Sequence, residues 1–273
     1  MIFSFGRFSV QVLGNDASTV FFRNNWKKFL QSDEKRQIDV SLAFERVPLP
    51  ESEDIEDGWS TEIHNSKKMA IYSLNREPVF AIQYDASQSI KVLIPEDENH
   101  NARLGAQYGL MTALNRECIG LHGVTLLCGD EVIILSAPSG TGKTTLAKLL
   151  ERYCDAVVVN GDFALLNPTD NGVIYEPTPF CGTSGRALNH RFRVNRIVFL
   201  SQSKTNEWRE LNAREALSWF MSNAFVPTWD NVLQQAVREN ILSSLSMLKV
   251  NSYAFAPTQE AAEAFLRHLE EMN

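Results

Sequence analysis

Apolar and polar positions alternate through much of the first hundred residues. Phe3, Phe5, Phe8, Val10 and Val12 keep a near-alternation that slips once, after Phe5, and Ile38, Val40, Leu42 and Phe44 keep it without a break. Met69 and Ile71, then Val79 and Ala81, then Ile90, Val92 and Ile94 carry the same period. A period of two puts every second side chain on one face of a sheet, so each stretch predicts a half-buried strand. Asn75-Arg76-Glu77-Pro78 predicts a turn between two of them. The period then changes. After a turn-like stretch, Pro95–Asn101, the apolar residues Leu104, Tyr108, Met111 and Leu114 recur at helical spacing and predict a helix whose stripe belongs to a core. A domain boundary is therefore expected near residue 100, with a β-rich part over 1–100 and a second domain over 101–273.

In the second part strands and helices interleave, which predicts an α/β class. His122–Leu127 and Val132–Ser136 read as strands joined by a Gly129-Asp130 turn. Gly142–Tyr153 reads as a helix with Leu146, Leu149 and Leu150 on one side. Ala156–Val159 and Phe163–Leu166 read as strands around Asn160-Gly161-Asp162, and Arg196–Leu200 as another. Helices are predicted over Arg214–Met221, Asp230–Leu248 and Gln259–Glu270, the last with Ala262, Phe265, Leu266 and Leu269 on one face.

The candidate chemistry sits between an apolar strand and an apolar-striped helix. Ala137-Pro138-Ser139-Gly140-Thr141-Gly142-Lys143-Thr144-Thr145 matches the phosphate-binding pattern G-x-x-x-x-G-K-[ST] at Gly142, Lys143 and Thr144, with Ala137 in the first glycine's place. Gly140 and Gly142 let the backbone curl so that N–H groups point at a phosphate, and the following helix adds its positive end. Ser139, Thr141 and Thr145 complete the loop. Lys143 supplies a point charge to the terminal phosphates and Thr144 a hydroxyl to Mg²⁺. Ala137 is tolerable if its position needs no positive φ.

Composition narrows the reading. The chain carries 26 Lys and Arg against 33 Asp and Glu, a net charge of −7, so it lacks the basic surplus of a nucleic-acid binder. Cys118, Cys128, Cys154 and Cys181 form no C-x-x-C pair, which argues against zinc and for reduced thiols. No stretch approaches the roughly 20 apolar residues of a membrane span, and 1–14 hold no signal-peptide core. The expectation is a cytoplasmic protein. Glu51, Glu53, Asp54, Glu56 and Asp57 form an acidic run, read as a solvated loop or a docking loop for a basic partner.

Leu121-His122-Gly123-Val124, followed about a dozen residues later by the loop 139–144, resembles the HPr kinase/phosphorylase family and the wider set of HPr-kinase-like proteins. Some of the latter phosphorylate peptide serines, and their nucleotide site is similar to that of ATP-type phosphoenolpyruvate carboxykinases. The resemblance runs through Val159–Asp162 and Pro179–Thr183 to Ile197–Leu200, roughly residues 118–250. It implies a P-loop domain of that type, a bacterial source, and an ATP-dependent kinase that uses Mg²⁺ and acts on a hydroxyl, foremost a serine of a protein or peptide. A regulatory nucleotide-binding module, or a kinase of a small hydroxylated metabolite, is the alternative. A homo-oligomer is compatible with the resemblance. Nothing in these residues separates ATP from GTP or pyrophosphate.

The resemblance also assigns roles. His122 matches the histidine ahead of the loop, which orients or stabilises the reacting phosphate. Asp162 matches the carboxylate after the next strand, which holds the metal or accepts the hydroxyl proton. The family usually has two adjacent aspartates there, and this chain has Gly161-Asp162, which leaves the division of labour between metal and base open. Gly182–Arg186 matches a segment near the acceptor. Arg186, ahead of Arg191 and Arg193, is the candidate for neutralising charge on the transferring phosphate.

Overall fold

A computed structural model describes residues 1–14, 16–31, 37–49, 56–64, 67–85, 88–95 and 99–271. The chain divides into two compact units, one of 1–116 with 227–236, the other of 117–226 with 237–273. The division therefore falls after the helix predicted near residue 104, and the first unit also recruits a later segment of chain.

The first unit is a mixed seven-stranded sheet. Its elements are β1 (Ile2–Phe5), β2 (Phe8–Leu13), α1 (Asp16–Asn25), β3 (Val40–Arg46), β4 (Gly58–His64), β5 (Lys67–Leu74), β6 (Glu77–Tyr84), β7 (Ser89–Ile94) and α2 (Asn99–Leu114), with sheet order β1-β2-β3-β7-β6-β5-β4. The slip in alternation after Phe5 is the β1–β2 hairpin turn, where Gly6 has φ 63°. The β2–β3 pair is parallel, so the chain must cross over between them, and α1 lies in that connection. The turn after β5 is the pair Asn75-Arg76, both at positive φ (54° and 62°), and Pro78 already pairs in β6.

The α2 helix packs against β7, β6 and β3 through two glycines one turn apart. A Cβ on Gly105 would stand 2.5 Å from Val92 Cγ1, and one on Gly109 would meet Ile90, Val92 and Leu42 at 3.2–3.3 Å. Glycine inside a helix costs about 1 kcal/mol, and the close approach of helix to sheet is what it provides here. Asp230 anchors the recruited segment. Its Oδ2 accepts from Lys68 Nζ at 2.6 Å and from Tyr84 Oη at 3.1 Å, while its Oδ1 accepts the N–H groups of Val232 and Leu233. Trp229 packs on Trp59 in a tilted pair, 3.9 Å between centroids.

The second unit is a nine-stranded sheet covered on both faces. It comprises β8 (Ile119–Cys128), β9 (Glu131–Ser136), α3 (Lys143–Tyr153), β10 (Val157–Asn160), β11 (Phe163–Thr169), β12 (Gly172–Glu176), β13 (Phe192–Arg193), β14 (Arg196–Gln202), β15 (Glu207–Glu210), α4 (Ala213–Asn223), α5 (Asn231–Leu245, whose first turns belong to the first unit), β16 (Lys249–Phe255) and α6 (Gln259–Glu271). The order is β13-β12-β11-β8-β9-β14-β16-β15, with β10 pairing β8. Successive residues feed opposite cores. Leu135, Val198 and Leu200 pack with Leu146, Leu150 and Phe265, whereas Ile134, Ile197 and Phe199 pack with Phe220, Val237 and Ile241. Burial on both faces explains the unbroken apolar runs of β9 and β14.

The fold is mixed α/β with two large mixed sheets. Among the described residues no helix is long and apolar enough to cross a membrane. Of the acidic run, Glu51, Glu53 and Asp54 lie outside the described residues, and Glu56 and Asp57 are exposed, with Asp57 accepting the Arg76 N–H.

Candidate functional site

The loop after β9 curls tightly into α3. Gly140 and Gly142 have φ of 81° and 109°, and a Cβ on Gly142 would stand 3.2 Å from Phe255 Cζ. Among the described residues only Asn75, Arg76 and Asp155 combine a side chain with positive φ, so Ala137 is unstrained in the first glycine's place. Ala137 is fully buried, Pro138, Ser139 and Gly140 are exposed, and Thr141 is half-buried. Gln202 Nε2 donates to the Gly140 carbonyl at 3.2 Å.

Lys143, the first residue of α3, is 7% exposed. Its ammonium donates to the carbonyls of Ala137 at 2.6 Å and Pro138 at 3.0 Å, both in its own loop. Burial pulls its pKa below the ordinary lysine value, against an opposing pull from Asp162. Buried charge with donors to spare is suited to an anion, which would compete with these two carbonyls for the ammonium.

His122 and Asp162 come together through strand pairing. His122 of β8 stands opposite Phe163 of β11, and the Asp162 carbonyl accepts from Gly123 N at 2.9 Å. The side chains approach to 3.6 Å between His122 Nδ1 and Asp162 Oδ1, both more than a third exposed. Burial and then the Lys143 charge push the His122 pKa below its ordinary value, with Asp162 opposing. A neutral imidazole near pH 7 follows.

Asn160, which sequence reasoning treated only as part of a turn, positions Asp162. It is fully buried, its Oδ1 accepts from the N–H of Asp162 at 3.0 Å and of Phe163 at 3.1 Å, and its Nδ2 donates to the Thr178 carbonyl at 3.1 Å. An Asn whose side chain bonds the backbone two residues on is a recognised turn former, and Asn-Gly-Asp was the signal available. Gly161 is a steric requirement. A Cβ there would fall 2.0 Å from Ser184 Oγ and 2.5 Å from Ser184 Cβ, so the second aspartate of the family pattern has no room. Gly182, at φ 58°, is also tightly placed, with its Cβ position 2.8 Å from Asp162 Cβ.

A cavity of about 320 Å³ opens beside the loop. Thr144, Ala147, Lys148 and Glu151 line it from one stripe of α3 at helical spacing, and Asp162, Thr183, Ser184 and Arg186 line it as well. Thr144 and Thr145 are both exposed at the first turn of α3. Arg186 is ion-paired with Glu151, two turns along α3 from Lys143. Arg191 makes a two-pronged pair with the buried Glu176, at 2.9 and 2.7 Å, and is committed there. Arg193 lies exposed against Gly172. Thus the structure brings His122, Lys143, Thr144, Asp162 and Arg186 to one region, Asn160 joins them from its turn, and Lys148, Glu151 and Ser184 join them without a sequence pattern to announce them.

The residues fit a nucleoside triphosphate with Mg²⁺. The loop glycines Gly140 and Gly142 both hold positive φ, Lys143 is a buried cation, and Thr144 shares a cavity with a partly exposed carboxylate. Among the described residues no cluster of three or more His, Cys, Asp or Glu could hold a metal by itself. A cation here needs phosphate oxygens and water, which is the ordinary habit of Mg²⁺.

No protein-family model and no curated protein matches the chain. Among solved structures it is similar to the HPr(Ser) kinase/phosphatase from Coxiella burnetii, at 10% identity and a TM-score of 0.32, over 56% of this chain and 95% of that one. Identity and score at that level leave the site to its own geometry.

Proposed function

We propose that the protein is an ATP-dependent phosphotransferase acting on a hydroxyl, foremost a serine of a protein or peptide. The observation that carries this is the shared cavity of Thr144, at the head of α3, and Asp162, fixed by Asn160. The backbone of 139–144 and the Lys143 ammonium bind the phosphates, and neutral His122 donates a hydrogen bond beside them. Thr144 and Asp162 hold Mg²⁺, which neutralises phosphate charge when bound. Asp162 also lies where an acceptor proton can be taken. Transfer of this kind depends chiefly on positioning and charge, so one carboxylate suffices chemically. Arg186 reaches the phosphate only by leaving Glu151.

The test is incubation with Mg²⁺, γ-labelled ATP and serine peptides or extract. Label should appear in an acceptor, and Lys143→Ala should lower transfer by a factor on the order of 10²–10³, the range for removing a charge-stabilising donor. Unchanged affinity and turnover in that variant would refute the loop assignment. A second reading, a regulatory module that binds nucleotide without transfer, is favoured by the closed space at Gly161. Tight binding with no label in any acceptor, nor in the chain itself, would decide for it.

A further inference from the structure

The side-chain space at Gly161 is filled by a hydroxyl from the chain itself. Ser184 Oγ lies 2.0 Å from where a Gly161 Cβ would stand, beside the carboxylate-bearing Asp162, and Ser184 lines the same cavity as Thr144 and Asp162. Ser184 is exposed, so an incoming phosphate needs no core to open. Its loop is flanked by Gly182 and Gly185, at φ 58° and 64°, and packs against Asp162 at Gly182. The hydroxyl donates to the Cys181 carbonyl at 2.6 Å and accepts from Arg186 N at 3.1 Å. Turning it toward the cavity gives up these two exposed hydrogen bonds. Thr183 lines the cavity as well, but the hydroxyl that occupies the Gly161 space is that of Ser184.

We propose that Ser184 is itself an acceptor of the terminal phosphate, so that the chain phosphorylates its own 182–186 loop. This rests on the phosphotransferase reading above and names an acceptor for it. Ser184 Oγ forms a bond to the terminal phosphorus. The bond from that phosphorus to the oxygen bridging to the second phosphate breaks, and its electron pair leaves with the nucleoside diphosphate. The hydroxyl proton passes to the Asp162 carboxylate. The product, a near-dianionic phosphoserine, lies two residues from Arg186 and competes with Glu151 for that guanidinium.

The experiment is incubation of the full chain with Mg²⁺ and γ-labelled ATP and no added acceptor, followed by phosphopeptide mapping. A single phosphate at Ser184 is expected, formed at a rate per chain independent of protein concentration. Label should be lost in Ser184→Ala and in Lys143→Ala, with ATP binding retained by Ser184→Ala as the control for folding. Label on an added serine peptide with none at Ser184 overturns this proposal and leaves the phosphotransferase reading standing. Phosphate only at other residues, or ATP bound with no label anywhere, overturns it too, and a rate that climbs with protein concentration overturns transfer within one chain. Failure of the wild-type chain to bind ATP removes the underlying reading, and the proposal with it.

Discussion

Asp230 in the first unit and Asp162 in the second each stand at the head of an element, and their surroundings treat them oppositely. Asp230 is 4% exposed at the side chain and spends both oxygens on Lys68, Tyr84 and two N–H groups of α5. Asp162 is 37% exposed, and the imidazole of His122 stands off from its Oδ1 at 3.6 Å. A carboxylate with every lone pair engaged is a fastening. One held through its backbone, with oxygens facing a cavity, is available for a ligand. The difference lies in neighbours, since the residue type is the same.

Removing each group tests that contrast. Asp230→Ala should cause the largest loss of stability, about 2–4 kcal/mol, from a lost cap of about 1 kcal/mol and a buried tyrosine hydroxyl left short of its acceptor at about 1–3 kcal/mol. Urea denaturation reads it, and a loss under about 1 kcal/mol would make the fastening unimportant. Gly161→Ala should cost less, about 1–3 kcal/mol, because its methyl overlaps the Ser184 side chain. Ser184→Gly in the same chain should restore most of that loss, and no restoration would move the strain elsewhere. Asp162→Asn should change stability by no more than about 0.5 kcal/mol while abolishing metal-dependent transfer. A large loss of stability there would erase the distinction between the two aspartates.

Acid sharpens the same comparison. Burial alone raises the Asp230 pKa, but the bonds from Lys68, Leu233 N–H and Tyr84 overcome it and hold the carboxyl below its ordinary value. The stability it contributes is therefore complete above pH about 4 and is lost as pH falls through the folded value. Asp230→Asn should flatten that acid limb. His122 acts in a higher window. Its folded pKa lies below the unfolded value of about 6.5, so the unfolded chain binds the extra proton first and stability falls as pH drops below that value. His122→Gln should remove that smaller slope, measured as melting temperature between pH 7 and 5.

Much of this was legible from the order of residues alone. Alternation located β2, β3, β5, β6 and β7, and the slip after Phe5 falls at the β1–β2 hairpin that the structure shows. Helical spacing located α2, α3, α4, α5 and α6, and the glycines and lysine of 137–145 marked the curled loop into α3, because local backbone demands leave a local signature. The strand β16 escaped notice since Asn251 and Ser252 interrupt its apolar residues. In the structure Asn251 is buried and accepts from Arg196 Nη1 at 2.9 Å, a partner 55 positions away. A polar residue whose partner is far away in the chain looks like a loop residue in one dimension.

The sequence by itself determined the alternating strands, the curled loop and the presence of Lys143, Thr144, His122 and Asp162, since each follows from side-chain period, glycine freedom or residue chemistry. Only the tertiary structure decided that Arg191 is spent on Glu176, that Arg186 is tied to Glu151, and that Ser184 fills the space a second aspartate would need. Those outcomes depend on strand register and on which loop packs against which helix, and the energy that selects them comes from contacts between residues far apart in the chain.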